Sequence, residues 1–160
     1  MKKIFLTSAL FVFAMAAFSQ AEKTNGSIYI KHPYIDLVNK TVKAYLAKDV
    51  ATNKNIYSDT ATFWVSGLEK KMPIAEAFKM WNTDFDFYDD IKVTPVGYPD
   101  YLHYTLRDDK FVQSWWKWSG KSKKTGAVIT IDMVQFDKFN KAGKIVEEGI
   151  YGDFSKMVKE

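Results

Sequence analysis

At Asp89-Asp90 the hydrophobic period of this chain changes from that of a helix to that of a strand, and no other feature limits its folds as much. Before that point, Ile74, Phe78, Trp81, Phe85 and Tyr88 form one strongly aromatic helical face, starting just after Pro73, which suits a first helical turn. An earlier stripe of Ile35, Val38, Val42, Tyr45 and Leu46 predicts a helix from Tyr34, and Asp49 is placed to cap a short second one reaching Tyr57. Thr60 to Val65 is β-branched and aromatic and stops at Ser66-Gly67, as a strand does. Beyond Asp90, five segments alternate with a period of two: Ile91 to Gly97, Tyr101 to Leu106, Phe111 to Ser119, Ala127 to Phe139 and Lys144 to Tyr151. Pro, Gly, Asp and Asn mark the turns between them. Helices followed by hairpin-connected strands predict an α+β fold with an antiparallel sheet. Long strands twist, so the expected architecture is a cone-shaped curved sheet over about three helices of the N-terminal half.

The chain starts with Lys2 and Lys3, an apolar run from Ile4 to Phe18, and small residues around Ser19 and Ala21. This is the pattern of a secretion signal over residues 1–21, cleaved after Ser19 or Ala21, and the run is shorter than the ~20 residues of a membrane span. The expected location is therefore periplasmic or secreted, with no membrane association after cleavage. Residues 22–33 are polar with turn signals and read as an unstructured lead-in, and residues 34–160 as a single domain. Without Cys, that domain has no disulfide and must be held by its core. Removing Lys2 and Lys3 from the 23 basic residues leaves 21 against 19 acidic ones, too small an excess to indicate nucleic acid as a partner.

Three stretches carry a family resemblance. Tyr57-Ser58-Asp59-Thr60-Ala61-Thr62-Phe63 looks like an entry into a first strand after two helices. Trp115 to Thr130 is a Trp-rich strand followed by a Gly/Lys hairpin. Phe139-Asn140-Lys141-Ala142-Gly143-Lys144-Ile145-Val146-Glu147, with Tyr151 and Asp153, looks like a hairpin into a last strand. In this order they resemble the nuclear transport factor 2-like superfamily, and within it the SnoaL-like relatives of polyketide cyclases. The resemblance implies a cone of curved sheet closed by three helices, an apolar cavity and frequent homodimers through the outer sheet face. Enzymes (isomerases, dehydratases, cyclases) and non-catalytic binding modules share that fold, so function must be argued from the site.

The residues offer few catalysts. The resemblance places a carboxylate base at the end of the first strand, where this chain has Trp64-Val65-Ser66. Asp132, between Ile131 and Met133 in an apolar strand, and His103, between Leu102 and Tyr104, are the candidate acid–base pair, with Tyr151 as an alternative partner of Asp132. Asp132 qualifies only if its face of the strand lines the cavity, and alternation does not decide this because both faces are apolar. Glu147 and Glu148 point to opposite faces, so at most one looks inward. His32, beside Pro33, reads as solvated. Trp64, Trp81, Trp116, Trp118, Gln135 and Tyr151 are the candidate lining of a pocket for a small apolar or aromatic molecule. Trp115 lies on the opposite face from Trp116 and Trp118 and is a candidate interface residue. With no Cys, two separated His and no Gly-rich phosphate loop, neither a metal nor a cofactor is expected.

Overall fold

A computed structural model describes residues 24–158, so the secretion signal expected over residues 1–21 lies outside the described residues. In chain order the elements are β1 (Ser27–Tyr29), α1 (Pro33–Leu46), α2 (Val50–Ile56), β2 (Tyr57–Val65), β3 (Met72–Pro73), α3 (Ile74–Phe87), β4 (Tyr88–Pro95), β5 (Asp100–Tyr104), β6 (Asp109–Ser122), β7 (Val128–Phe139), β8 (Ile145–Gly152) and α4 (Ser155–Val158). The change of period at Asp89 is the passage from α3 into β4.

The strands form one curved sheet in the order β1-β5-β6-β7-β8-β2-β3, with β4 also paired to β6. Bending follows from the length of β6. Its C-terminal half, Trp116 to Ser122, pairs with β4, while its N-terminal half, Asp109 to Gln113, pairs with β5. Two short strands thus lie end to end along one long one, separated by the Tyr98-Pro99 turn. A register shift in β4 between Asp89 and Lys92, where Asp90 takes φ +52°, adds a local bend.

The structure departs from the expected pattern in three places. β2 runs parallel to β8, so the sheet is mixed. No hairpin joins these two strands; β2 enters from the helical half of the chain, directly after α2. The lead-in contains β1, which pairs with β5 from Ser27↔His103 to Tyr29↔Tyr101. Gly26 permits that approach: its φ is +145°, and a Cβ there would lie 2.0 Å from the His103 carbonyl oxygen. Finally, Asp153 accepts the Ser155 amide (3.0 Å) at the start of a fourth, short helix.

His32 is half-buried and held by the fold, not freely solvated. Its Nδ1 accepts the Tyr34 amide (3.2 Å) at the N-terminus of α1, and its ring stacks on Tyr101 at 3.6 Å. Burial, and secondarily His103, hold its pKa below the ordinary histidine value. At α2 the expected cap forms, with Asp49 Oδ1 accepting the Thr52 amide at 3.0 Å.

The inner sheet face and α1 and α3 share the core. Ile35, Val38, Phe63, Ile74, Phe78, Val112, Trp116 and Ile145 form its main cluster; Tyr88, Trp118, Ile129 and Ile131 form a second beside it. Alternation fixes which residues reach them. On β6, Val112, Ser114, Trp116 and Trp118 are buried, while on β7 the inward residues are Ile129, Ile131, Gln135, Asp137 and Phe139. No described helix is long and apolar enough to cross a membrane.

Candidate functional site

Between the helices and the inner sheet face lies a hollow of about 360 Å³. Its walls come from α1 (Thr41, Val42, Tyr45), α3 (Met80, Trp81, Asp84), β2 (Tyr57, Phe63, Val65) and β6–β8 (Trp118, Met133, Gln135, Glu148, Ile150). Val93 of β4, the Ser66–Leu68 turn, Phe154 and Met157 complete it. The volume suits a small organic molecule.

Two polar groups of side chains meet this apolar surface. In the first, the Tyr57 hydroxyl donates to Glu148 Oε2, and Gln135 Nε2 donates to both Asp137 oxygens, at 3.0 and 3.2 Å. Asp137 and Glu148 are register partners on β7 and β8, and both are buried. Burial raises the Glu148 carboxyl to about 7, opposed by the Tyr57 hydrogen bond. Asp137 is pushed well above the ordinary aspartate value by burial and by the charge of Glu148. Two buried carboxyls facing each other do not both ionise, and the pair titrates in two steps. Tyr57 is raised as well, by burial and by the two acids.

In the second, Trp118 Nε1 donates to the Tyr45 hydroxyl (3.0 Å), which donates to Asp84 Oδ2 (2.8 Å). Burial lifts the Asp84 carboxyl to about 6, against the lowering effect of the Tyr45 hydrogen bond. Tyr45 is itself raised, by burial first and then by Asp84.

Of the residues singled out from the sequence, Trp81, Trp118 and Gln135 line this hollow. Trp116 instead fills the main core, its Nε1 donating to Ser114 Oγ at 2.8 Å. Trp64 and Tyr151 lie on the outer sheet face with their rings 5.0 Å apart, because on β2 it is Ala61 and Phe63 that point inward. Asp132 is on the outer face too. Its side chain is 77% exposed and pairs with Lys117, its register partner, at 3.6 Å. The even-numbered face of β7 carries apolar residues without being inside, since Val134 and Phe136 belong to an aromatic outer surface. His103 has inward parity but lies on β5 beside the edge strand; it bonds Asp108 at 2.8 Å and does not line the hollow. Asp132, His103 and Tyr151 are therefore not brought together.

Asp84, Asp137, Glu148 and the two tyrosines are the groups that sequence reasoning missed or left undecided. For Asp137 a signal existed: it shares parity with Gln135, so an inward Gln135 carries Asp137 inward with it. Among the described residues, no group of three or more His, Cys, Asp and Glu side chains is arranged to hold a metal.

No family model matches the chain, and no curated protein does. Solved structures do. The chain is similar to wild-type IdmH of Streptomyces antibioticus, assigned as a polyketide cyclase, with a TM-score of 0.66 at 16% identity over 80% of this chain and 97% of that one. It is similar to a SnoaL-like protein of Shewanella denitrificans OS-217 assigned the same activity, with a TM-score of 0.59 at 13% identity, covering 81% and 96%. A nuclear transport factor 2-like protein of Exiguobacterium sp. 255-15 aligns with a TM-score of 0.52 at 25% identity, covering 76% and 95%. The curved mixed sheet, the helices against its inner face and these neighbours agree: this chain has the nuclear transport factor 2-like fold, in the form found in SnoaL-like proteins.

Proposed function

We propose that this protein is an exported binding module that holds a small, largely apolar molecule in the hollow beneath Trp81 and Trp118, without a cofactor. One observation carries the reading: a space of about 360 Å³ walled by aromatic and aliphatic side chains, with the Tyr57–Glu148 pair as its polar contact. Titration with N-phenyl-1-naphthylamine, which brightens in apolar surroundings, tests it. Saturable enhancement at one site per chain is expected. Met80→Trp, which fills the hollow, should weaken it at least tenfold, and Asp132→Asn on the outer face should leave it unchanged. Enhancement that survives Met80→Trp would place the probe elsewhere and end this reading.

A second reading is supported by the Glu148 carboxyl, which titrates at about 7 inside the hollow beside a tyrosine hydroxyl. A group so poised serves as a general acid or base for a cofactor-free isomerase or lyase. In that case Glu148→Gln abolishes turnover while probe binding persists.

We also propose that a second copy packs on the outer sheet face. Tyr151, 51% exposed, meets the rings of both Trp64 and Phe136 there, and Trp115 lies on the same side of β6. Trp115→Glu is expected to shift a dimer to monomer in sedimentation; a wild-type monomer at 100 μM (roughly the concentration that reveals a weak interface) would refute it.

A further inference from the structure

Resting on the proposed binding function, the chemistry of the walls narrows the occupant. The rings of Tyr45, Tyr57, Phe63, Trp81 and Trp118 all face the hollow, and so do the carboxyls of Asp84 and Glu148. No Lys, Arg or His lines it. Among the described residues, neither acid forms an ion pair with a basic side chain.

The hydrogen bonds already present also matter. Tyr57 donates to Glu148, Tyr45 to Asp84, Trp118 to Tyr45 and Gln135 to Asp137. These four side chains have committed donors to neighbours, and what the two clusters offer an incoming molecule is carboxyl oxygen. With the acids ionised, a ligand carbonyl or enolate held by either cluster would have to break one of those bonds; the Ser66 hydroxyl, which accepts the Gly152 amide, is a lining donor outside them. A cation would keep every one of them, turning each acid into a charged acceptor. The negative ring faces attract the same cation, and a buried carboxylate without a counter-charge is costly.

We infer that the hollow binds an organic ammonium ion, a hydrophobic amine or quaternary ammonium whose charge lies among the ring faces between Asp84 and Glu148. Binding draws the two carboxyls into their charged forms and releases protons, so affinity falls as pH drops through the range in which they titrate. Tyr57, Asp137 and Gln135 face Glu148, and Tyr45 faces Asp84; none of these contributes a positive charge that would oppose the ligand.

The test uses two molecules of one shape, phenyltrimethylammonium and tert-butylbenzene, followed by tryptophan fluorescence and thermal shift on the full mature chain at pH 8. The ammonium is expected to bind at least tenfold more tightly. Its advantage should fall below threefold in Glu148→Gln and in Asp84→Asn, which keep shape and remove charge, and should shrink for the wild type at pH 5. Two variants in separate elements guard against one that fails to fold. If tert-butylbenzene binds as well as or better than the ammonium, the inference is overturned and the hollow remains a binding site for neutral molecules. If neither molecule binds, both the inference and the proposed function fall.

Discussion

Glu148→Gln is expected to make the protein more stable at pH 8, by about 3 kcal/mol, while changing its stability little at pH 4.5. The unfolded chain titrates this carboxyl near 4.5 and the folded chain at about 7. Below the lower value both states hold the proton, and the favourable burial of a neutral acid is fully present. As pH rises toward and through 7, the folded state must either bury a charge beside Asp137 or keep a proton that the unfolded chain has released. Stability is therefore lost with rising pH, at up to about 1.4 kcal/mol per pH unit for one group. Glutamine keeps the acceptor for Tyr57 and carries no charge, so it removes the loss. Urea denaturation of both proteins from pH 4.5 to 8 measures this, and their difference cancels what other groups contribute in the opposite direction. Asp108, for example, is held below the ordinary aspartate value by His103 and Lys110. A variant whose stability runs parallel to wild type across the range would show that Glu148 is not titrating inside the fold. An acid retained at this cost, in a hollow that glutamine would fit as well, points to use rather than structure.

Much of this fold was legible because the strongest signals were local and repeated. The stripe from Ile74 to Tyr88 and the alternation of β6 and β7 each required one kind of element, and the turn residues fixed their limits to within a few positions. The strand β1 was not legible. Its three residues are held by Gly26 and by pairing with β5, a partner more than seventy residues away, and nothing in Ser27-Ile28-Tyr29 itself demands a strand. The site was readable only in part, for a reason visible in β7. Alternation assigns residues to two faces but identifies the inner one only when the other is polar. Here Val134 and Phe136 put apolar residues on the outer face as well, so alternation alone does not separate the exposed Asp132 from the buried Asp137. Asp84 was hidden differently. It flanks the aromatic stripe, three residues after Trp81 and four before Tyr88, and the packing of α3 against Tyr45 and Trp118 carries it into the hollow.

The same parity argument makes a sharp prediction on β2, where neighbouring aromatic residues have opposite fates. Phe63 is 1% exposed, its ring edge-on to Trp81 at 5.3 Å, and it forms part of the wall of the hollow. Phe63→Ala removes most of a buried aromatic side chain and leaves a void that a sheet and helix pinned on all sides do not close. The expected loss is about 3–5 kcal/mol, or a fall in Tm of roughly 10–15 °C for a domain of this size. Trp64, the next residue, points to the other face; it touches Tyr151 and donates to the Leu68 carbonyl at 2.8 Å. Trp64→Ala should therefore destabilise the folded chain by less than half as much, although it removes the larger ring. The enlarged hollow of Phe63→Ala should also take up tert-butylbenzene and regain part of the lost Tm, because an apolar void lined by rings is filled by an apolar molecule of matching size. Equal losses for the two substitutions would mean that β2 presents both rings to the core, which the curved sheet does not allow. A Phe63→Ala protein that loses stability but gains nothing from the added ligand would mean that the space beneath this ring is separate from the hollow bounded by Tyr57, Trp81 and Glu148.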